Sequence, residues 1–251
     1  MDIELLEVIS LKKACIQKLQ EYILSGKFAI GERLPSEREL AKMMGVSRPV
    51  LHEAIVTLND QGLVRIEARK GVFVSDYRRE SSMSLLNTLL EYEKGDFDPE
   101  LFRSLIAGRL LIERETARLA AQCCSVQQAL RFDDLLQTGR KAAGRTAQEL
   151  CEYDFQFHLE VAIASGNRMY PMILNSLKGV HKNLAGRFYQ KLFTSEEIQT
   201  VLSHHERLVA AIRSGNADLA GAIMEKLLRH GEEITMHMLY AEDQARKKEE
   251  K

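Results

Sequence analysis

The stretch SERELAKMMGVSRPVLHEAI, residues 36–55, constrains this chain more than any other. Ser36 and Glu39 have the spacing of a capping box, in which hydroxyl and carboxylate satisfy each other's backbone amides and fix a helix start. Gly45 supplies a stop, because a residue without Cβ enters the left-handed region freely. Ser47 then caps a second helix, with Pro49 in its first turn, where a missing N–H costs nothing. The spacing predicts two short helices, over 37–44 and 47–61, joined by a tight turn, with Gly62 closing the second. Upstream, Val8, Leu11, Ile16, Leu19, Ile23 and Leu24 recur at helical spacing over 8–25. Downstream, LVRIEARKGVFVS alternates as a short hairpin with a basic tip. Helix, helix, tight turn, helix and hairpin make a winged helix-turn-helix, an architecture that lays its second turn helix in a DNA major groove.

From Ser84 onward the periodicity is helical. Breaks near Gly95, Ser125, Gly144, Gly166, Phe193 and Gly215 divide it into helices over 84–93, 98–122, 126–142, 147–165, 168–191, 195–213 and 217–239. The fold class is therefore mostly α: a winged helix-turn-helix with a small β-hairpin over 1–76, and an all-α seven-helix bundle over 84–240. Residues 77–83 read as a polar linker, and 241–251 as a charged, frayed tail.

Composition excludes several classes. The chain is 45% hydrophobic and 28% charged, so a core can form. No apolar run reaches the roughly 18 residues of a membrane span. The N-terminus, MDIELLEVISLKK, lacks the pattern of a secretory signal, which points to the cytoplasm. The four cysteines form no C-x-x-C pair and read as reduced, buried thiols. Net charge is −1, so a DNA partner must be argued from local placement.

The run from Gly26 to Val74, with GERLPSERELAKMMGVSR, EAI, GLV and GVFV in order, resembles the GntR family of bacterial transcription regulators. The resemblance implies DNA contacts by Arg38 and Arg48, and a wing tip, Lys70-Gly71, that enters the minor groove. Arg48, in the first turn of the reading helix, can fork onto guanine. Ser47 and the helix N-terminus suit a phosphate. His52 departs from the family, which has Arg there. A neutral imidazole offers one donor and one acceptor against five donors on Arg. Two readings stay open: a contact with altered base preference, or a surface residue without contact.

RLLIERETARLAA (109–121), DFQFHL (154–159), SGN (165–167) and HERLVAAI (205–212) resemble the FadR subfamily and its helical ligand domain. Asp154 and His158, four apart, share a helix face and make a half-site for a divalent metal. The resemblance adds His205 and a third His twenty-two residues later, but this chain has Leu227 there, with His230 one turn beyond. One divalent ion (Zn, Ni or Mn) on Asp154, His158, His205 and His230 is one reading; a metal-free polar pocket is the other. Arg109 matches a family residue that fixes an anionic effector group, and the alternative is a structural bridge to Glu113. The expectation is an effector-controlled, dimeric transcription regulator, a repressor of a metabolic operon, binding double-stranded operator DNA and a small carboxylate. A sensor of the metal itself is the alternative. A metal-dependent enzyme is remote, because no nucleophile with a paired base and no phosphate loop is present.

Overall fold

The computed structural model describes residues 10–80, Leu85, 99–193 and 196–249. The chain divides into two compact units, Met1–Gly95 and Asp96–Lys251.

In the first unit, α1 (Leu11–Leu24), α2 (Glu37–Met44) and α3 (Arg48–Asp60) precede a hairpin of β1 (Val64–Glu67) and β2 (Gly71–Val74). The Ser36/Glu39 capping box forms, and Gly45 ends α2 at φ 67°. Ser47 occupies the N-cap position of α3, but its hydroxyl makes no capping hydrogen bond, contrary to the sequence reading. Leu19, Leu40, Leu51, Ile55, Leu58 and Leu63 are fully buried and form one core with Val64, Val74 and Leu85. The strands pair antiparallel, Val64 with Val74 and Glu67 with Gly71. The segment before α2 braces the other edge of the wing, where Leu34 N donates to Val72 O. At Gly71 φ is 119° and an added Cβ would lie 2.9 Å from Arg33 Nε, so glycine is required at the wing tip.

The expected linker is partly helical: α4 (Tyr77–Glu80) forms a single turn, and Asp76 pairs with Arg78 and Arg79. The helix expected over 84–93 lies outside the described residues, except Leu85, which is helical and buried.

The second unit contains α5 (Pro99–Cys123), α6 (Val126–Ala142), α7 (Ala147–Ala164), α8 (Met169–Ser176), α9 (Lys178–Leu192), α10 (Glu196–Arg213) and α11 (Ala217–Glu249). The helix expected over 168–191 is two helices. At Leu177 the backbone leaves helical geometry (φ −96°, ψ 8°), and its N–H is shared between Ile173 O and Leu174 O. Over 241–249 the expected tail is helical, in a run of helix-favouring residues without Gly or Pro. All four cysteines are free, but Cys123, at the end of α5, is exposed and Cys124 half-buried, so only Cys15 and Cys151 are the expected buried thiols.

Helix α7 sits at the centre, packed against α5, α6, α8 and α9. Tyr153, Asp154, Phe155, Phe157 and His158 are all buried, while Gln148, Glu149 and Ile163 are exposed, so the middle of the helix is buried over most of its circumference. Asp154 and His158, at i and i+4, lie on its buried side and are carried into the core.

Candidate functional site

Two polar groups stand out, one in each unit. On the first, α3 exposes Arg48 and His52, four residues apart, with their side chains 73% and 58% exposed. Glu37, in the first turn of α2, meets both: Oε1 lies 3.0 Å from His52 Nδ1, and Oε2 lies 3.6 Å from Arg48 Nε. Ser47 and Arg38 are exposed close by in sequence. Lys70 is exposed at the wing and pairs with Glu67 at 3.2 Å. Glu37 was not singled out in the sequence; its place beside the reading helix follows from how α2 packs on α3.

In the second unit, Asp154 and His158 on α7 and His205 on α10 gather in the core. One ligand atom from each lies within 4.8 Å of the others. His158 turns Nδ1 onto the Glu113 carboxylate, and its Nε2 lies 3.9 Å from Asp154 Oδ2. A carboxylate against one ring nitrogen places the proton there and leaves the other nitrogen its lone pair, as metal-binding histidines require. His205 is fully buried and stacks on Phe157 at 4.0 Å between ring centroids. Its Nδ1 meets the Tyr153 hydroxyl at 2.9 Å, while Nε2 has no hydrogen-bond partner and faces Asp154 Oδ1 at 3.7 Å. Such a buried orphan costs about 1–3 kcal/mol, which a bound cation would offset. Gly139 allows this arrangement, since a Cβ there would meet the Tyr153 ring at 2.4 Å.

Two more residues that sequence reasoning missed, like Tyr153, complete the group. His181 Nε2 lies 2.9 Å from Asp154 Oδ2, and the Tyr189 hydroxyl donates to Asp154 Oδ1 at 2.7 Å. Both sit on α9, restarted by the break at Leu177. An ionised carboxylate has about four lone-pair sites, so Asp154 retains capacity for a ligand. Burial alone would raise the Asp154 carboxyl, but the His181 hydrogen bond and three surrounding imidazoles hold it well below the usual carboxylate range. Burial likewise opposes ionisation of Glu113, yet Arg109 and His158 hold its carboxyl low. Burial drives the His205 imidazole down to about 3.

Arg109 donates from Nε to Glu113 Oε1 at 2.5 Å, so the expected bridge forms. Arg109 also lines a cavity of about 70 Å³, together with Asp154, His158, Phe102, Phe188 and Leu227. The bridge and a role at the cavity are therefore compatible.

The structure does not bring His230 into this group. Three residues past Leu227, it is rotated roughly 60° around α11, where its Nε2 pairs with Glu197 at 2.8 Å. Leu227 itself is buried and presents an apolar wall at the position the sequence comparison reserved for a ligand.

Comparison with known proteins agrees with this architecture. Residues 11–74 match the model for bacterial regulatory proteins of the gntR family, and residues 104–230 match the FCD domain. A fatty acid metabolism regulator protein of Shewanella putrefaciens is 30% identical over 80% of this chain and 81% of its own length. One from Shewanella denitrificans is 33% identical over 66% of this chain and 67% of its own. Among solved structures, Lar, which controls expression of the Listeria monocytogenes agr system, superposes with a TM-score of 0.63. It is 18% identical over 93% of this chain and 99% of that one, which shows a shared fold. No described helix is long and apolar enough to cross a membrane. The chain belongs to the GntR family, with an FCD domain after its reader, and is an effector-responsive transcription regulator rather than an enzyme.

Proposed function

We propose that the protein is a cytoplasmic, homodimeric repressor whose effector domain holds a divalent metal and a small carboxylate. Residues 1–76 read operator DNA, 77–83 link, 84–240 bind the effector and dimerise, and 241–251 form a charged tail. Arg38, Ser47, Arg48, His52, Lys70 and Gly71 form the DNA-facing set. A twofold operator would double the contacts of so small a reader.

The observation that carries the effector site is the buried group of Asp154, His158 and His205, with His205 Nε2 lacking a hydrogen-bond partner and His158 Nε2 turned toward Asp154. Zn, Ni or Mn suits one carboxylate and two imidazoles. With Leu227 in place of a fourth ligand, a bound ion would keep open positions for an effector carboxylate, the chemistry the metal supplies. Arg109 lines the same cavity and adds a fork for the anion. The cavity of about 70 Å³, at roughly 10–15 Å³ per water, has room for about five waters. That favours a compact organic acid. The relatives' name, fatty acid metabolism regulator, suggests a longer acyl ligand, which Phe102 and Phe188 would have to move to admit.

Elemental analysis of protein purified without chelator tests this reading. Near-stoichiometric Zn, Ni or Mn is expected, with loss in His158→Ala, and a metal-dependent thermal shift with small carboxylates. Absence of metal in the wild type, with no shift on adding these ions, leaves the metal-free pocket as the answer.

A further inference from the structure

We infer that Glu37 fixes the tautomer of His52 and thereby makes His52 a hydrogen-bond acceptor toward the DNA bases. The proposal rests on α3 being the reading helix.

An ionised carboxylate can only accept hydrogen bonds. Glu37 Oε1 lies 3.0 Å from His52 Nδ1, so Nδ1 must carry the proton. A neutral imidazole carries one proton, and the opposite nitrogen, Nε2, is then a bare acceptor. The other Glu37 oxygen lies 3.6 Å from Arg48 Nε, which leaves the two terminal nitrogens of that guanidinium for a partner. One carboxylate thus meets both Arg48 and His52, and it orients them to opposite codes. Arg48 presents donors, which match O6 and N7 of guanine. His52 presents an acceptor, which matches the amino group of adenine or cytosine and is mismatched to guanine O6 and thymine O4. Four residues of helix rise about 6 Å, close to two base-pair steps of about 3.4 Å. The His52 position should therefore lie about two pairs from the guanine read by Arg48. Glu37 touches no base in this scheme and acts as a positioning residue. If Glu37 served only the α2 helix dipole, from its place in the first turn, the His52 ring would be indifferent to it.

Two measurements on the full-length protein test the proposal. Long-range proton–nitrogen correlation at pH 8 reports the tautomer, with the His52 resonance identified by its loss in His52→Gln. The expected result is a protonated Nδ1 in the wild type and a shift of population to protonated Nε2 in Glu37→Ala. A wild-type ring protonated on Nε2, or one unmoved by Glu37→Ala, overturns the assignment. Selection from a library of random-sequence DNA duplexes reports the code. The wild type should favour adenine or cytosine by roughly three- to tenfold at one position per half-site, and His52→Arg should convert that position alone to guanine. Identical recovered sites for both proteins overturn the base-reading role. Failure of the wild type to enrich any sequence overturns instead the DNA reading on which the proposal rests.

Discussion

Glu37 and His52 meet at 3.0 Å with the imidazole 58% exposed; Glu113 and His158 are in contact with neither side chain more than 3% exposed. The chemistry of the two pairs is the same, and their energetics are not. On the surface, water screens the charges and such a pair contributes about 0–1 kcal/mol. It can open when a partner arrives. In the core the groups have lost their hydration, and removing one partner costs about 3–5 kcal/mol because the other is left uncompensated. That difference explains why the buried pair comes with a retinue. Arg109, Asp154, His181, His205, Tyr153 and Tyr189 are all drawn into one network. The exposed pair needs only Arg48 beside it.

The largest effect expected from this contrast is an acid sensitivity of the metal-stripped protein. Burial holds the His205 imidazole at about 3, against about 6.5 in an unfolded chain. Below pH 6.5 the unfolded chain takes up a proton that the folded one refuses. The stability contribution is therefore fully present above pH 6.5 and is lost progressively as pH falls toward 3. At 1.36 kcal/mol per unit the total loss is roughly 4–5 kcal/mol. Asp154 and Glu113, whose folded carboxyls are held low, subtract more below about pH 4. Urea titrations of chelator-treated protein from pH 7.5 to 4 should show this slope, and His205→Phe should make it shallower. A flat profile would mean that the core imidazoles are far less desolvated than the geometry indicates.

Asp154→Ala comes next. It leaves His181 Nε2 and the Tyr189 hydroxyl without their shared acceptor in the core. A loss of about 3–5 kcal/mol is expected for breaking a buried charged group of this kind, measured by the same titration at pH 7.5. A variant within 1 kcal/mol of the wild type would place solvent where the structure places packed side chains.

How much of this was legible in the sequence divides along the same line. In the reader, local chemistry sufficed: Ser36, Glu39 and Gly45 specify their caps by spacing alone, and the structure has both. In the core, Asp154 and His158 were legible because a helix joins i to i+4. His205 came only through family resemblance. His181, Tyr153 and Tyr189 carried no signal, because their approach depends on how α7, α9 and α10 pack. The break at Leu177 that starts α9 was hidden too, since neither Gly nor Pro marks it and apolar periodicity runs through it. His230 was misleading for the converse reason: its residue type suits a ligand, but its angular position on α11 does not.

Arg48→Ala is the third perturbation. Removing a first-turn guanidinium from the reading helix should weaken operator binding by roughly 1–3 kcal/mol and relax discrimination at its base. Folding stability should stay within about 0.5 kcal/mol, because the side chain is 73% exposed. A gel-shift titration at fixed salt with unchanged affinity would remove Arg48 from the DNA-facing set. A stability loss as large as that of Asp154→Ala would erase the distinction between the two regions.

The smallest effect is expected at His230. Its side chain is 24% exposed and pairs with Glu197, itself 41% exposed, at 2.8 Å. Partial exposure keeps the ions hydrated, so His230→Ala should cost no more than about 1 kcal/mol. Metal content should be unchanged, because the ligand atoms of Asp154, His158 and His205 already converge without it. Elemental analysis of His230→Ala beside His158→Ala makes the comparison direct, since both variants delete one imidazole from the same unit. If His230→Ala lost its metal while His158→Ala kept it, the binding site would lie at the half-exposed α10–α11 pair instead. The buried cluster would then be a structural network whose partners satisfy one another, and the absence of a His at position 227 would be the reason no ion enters it.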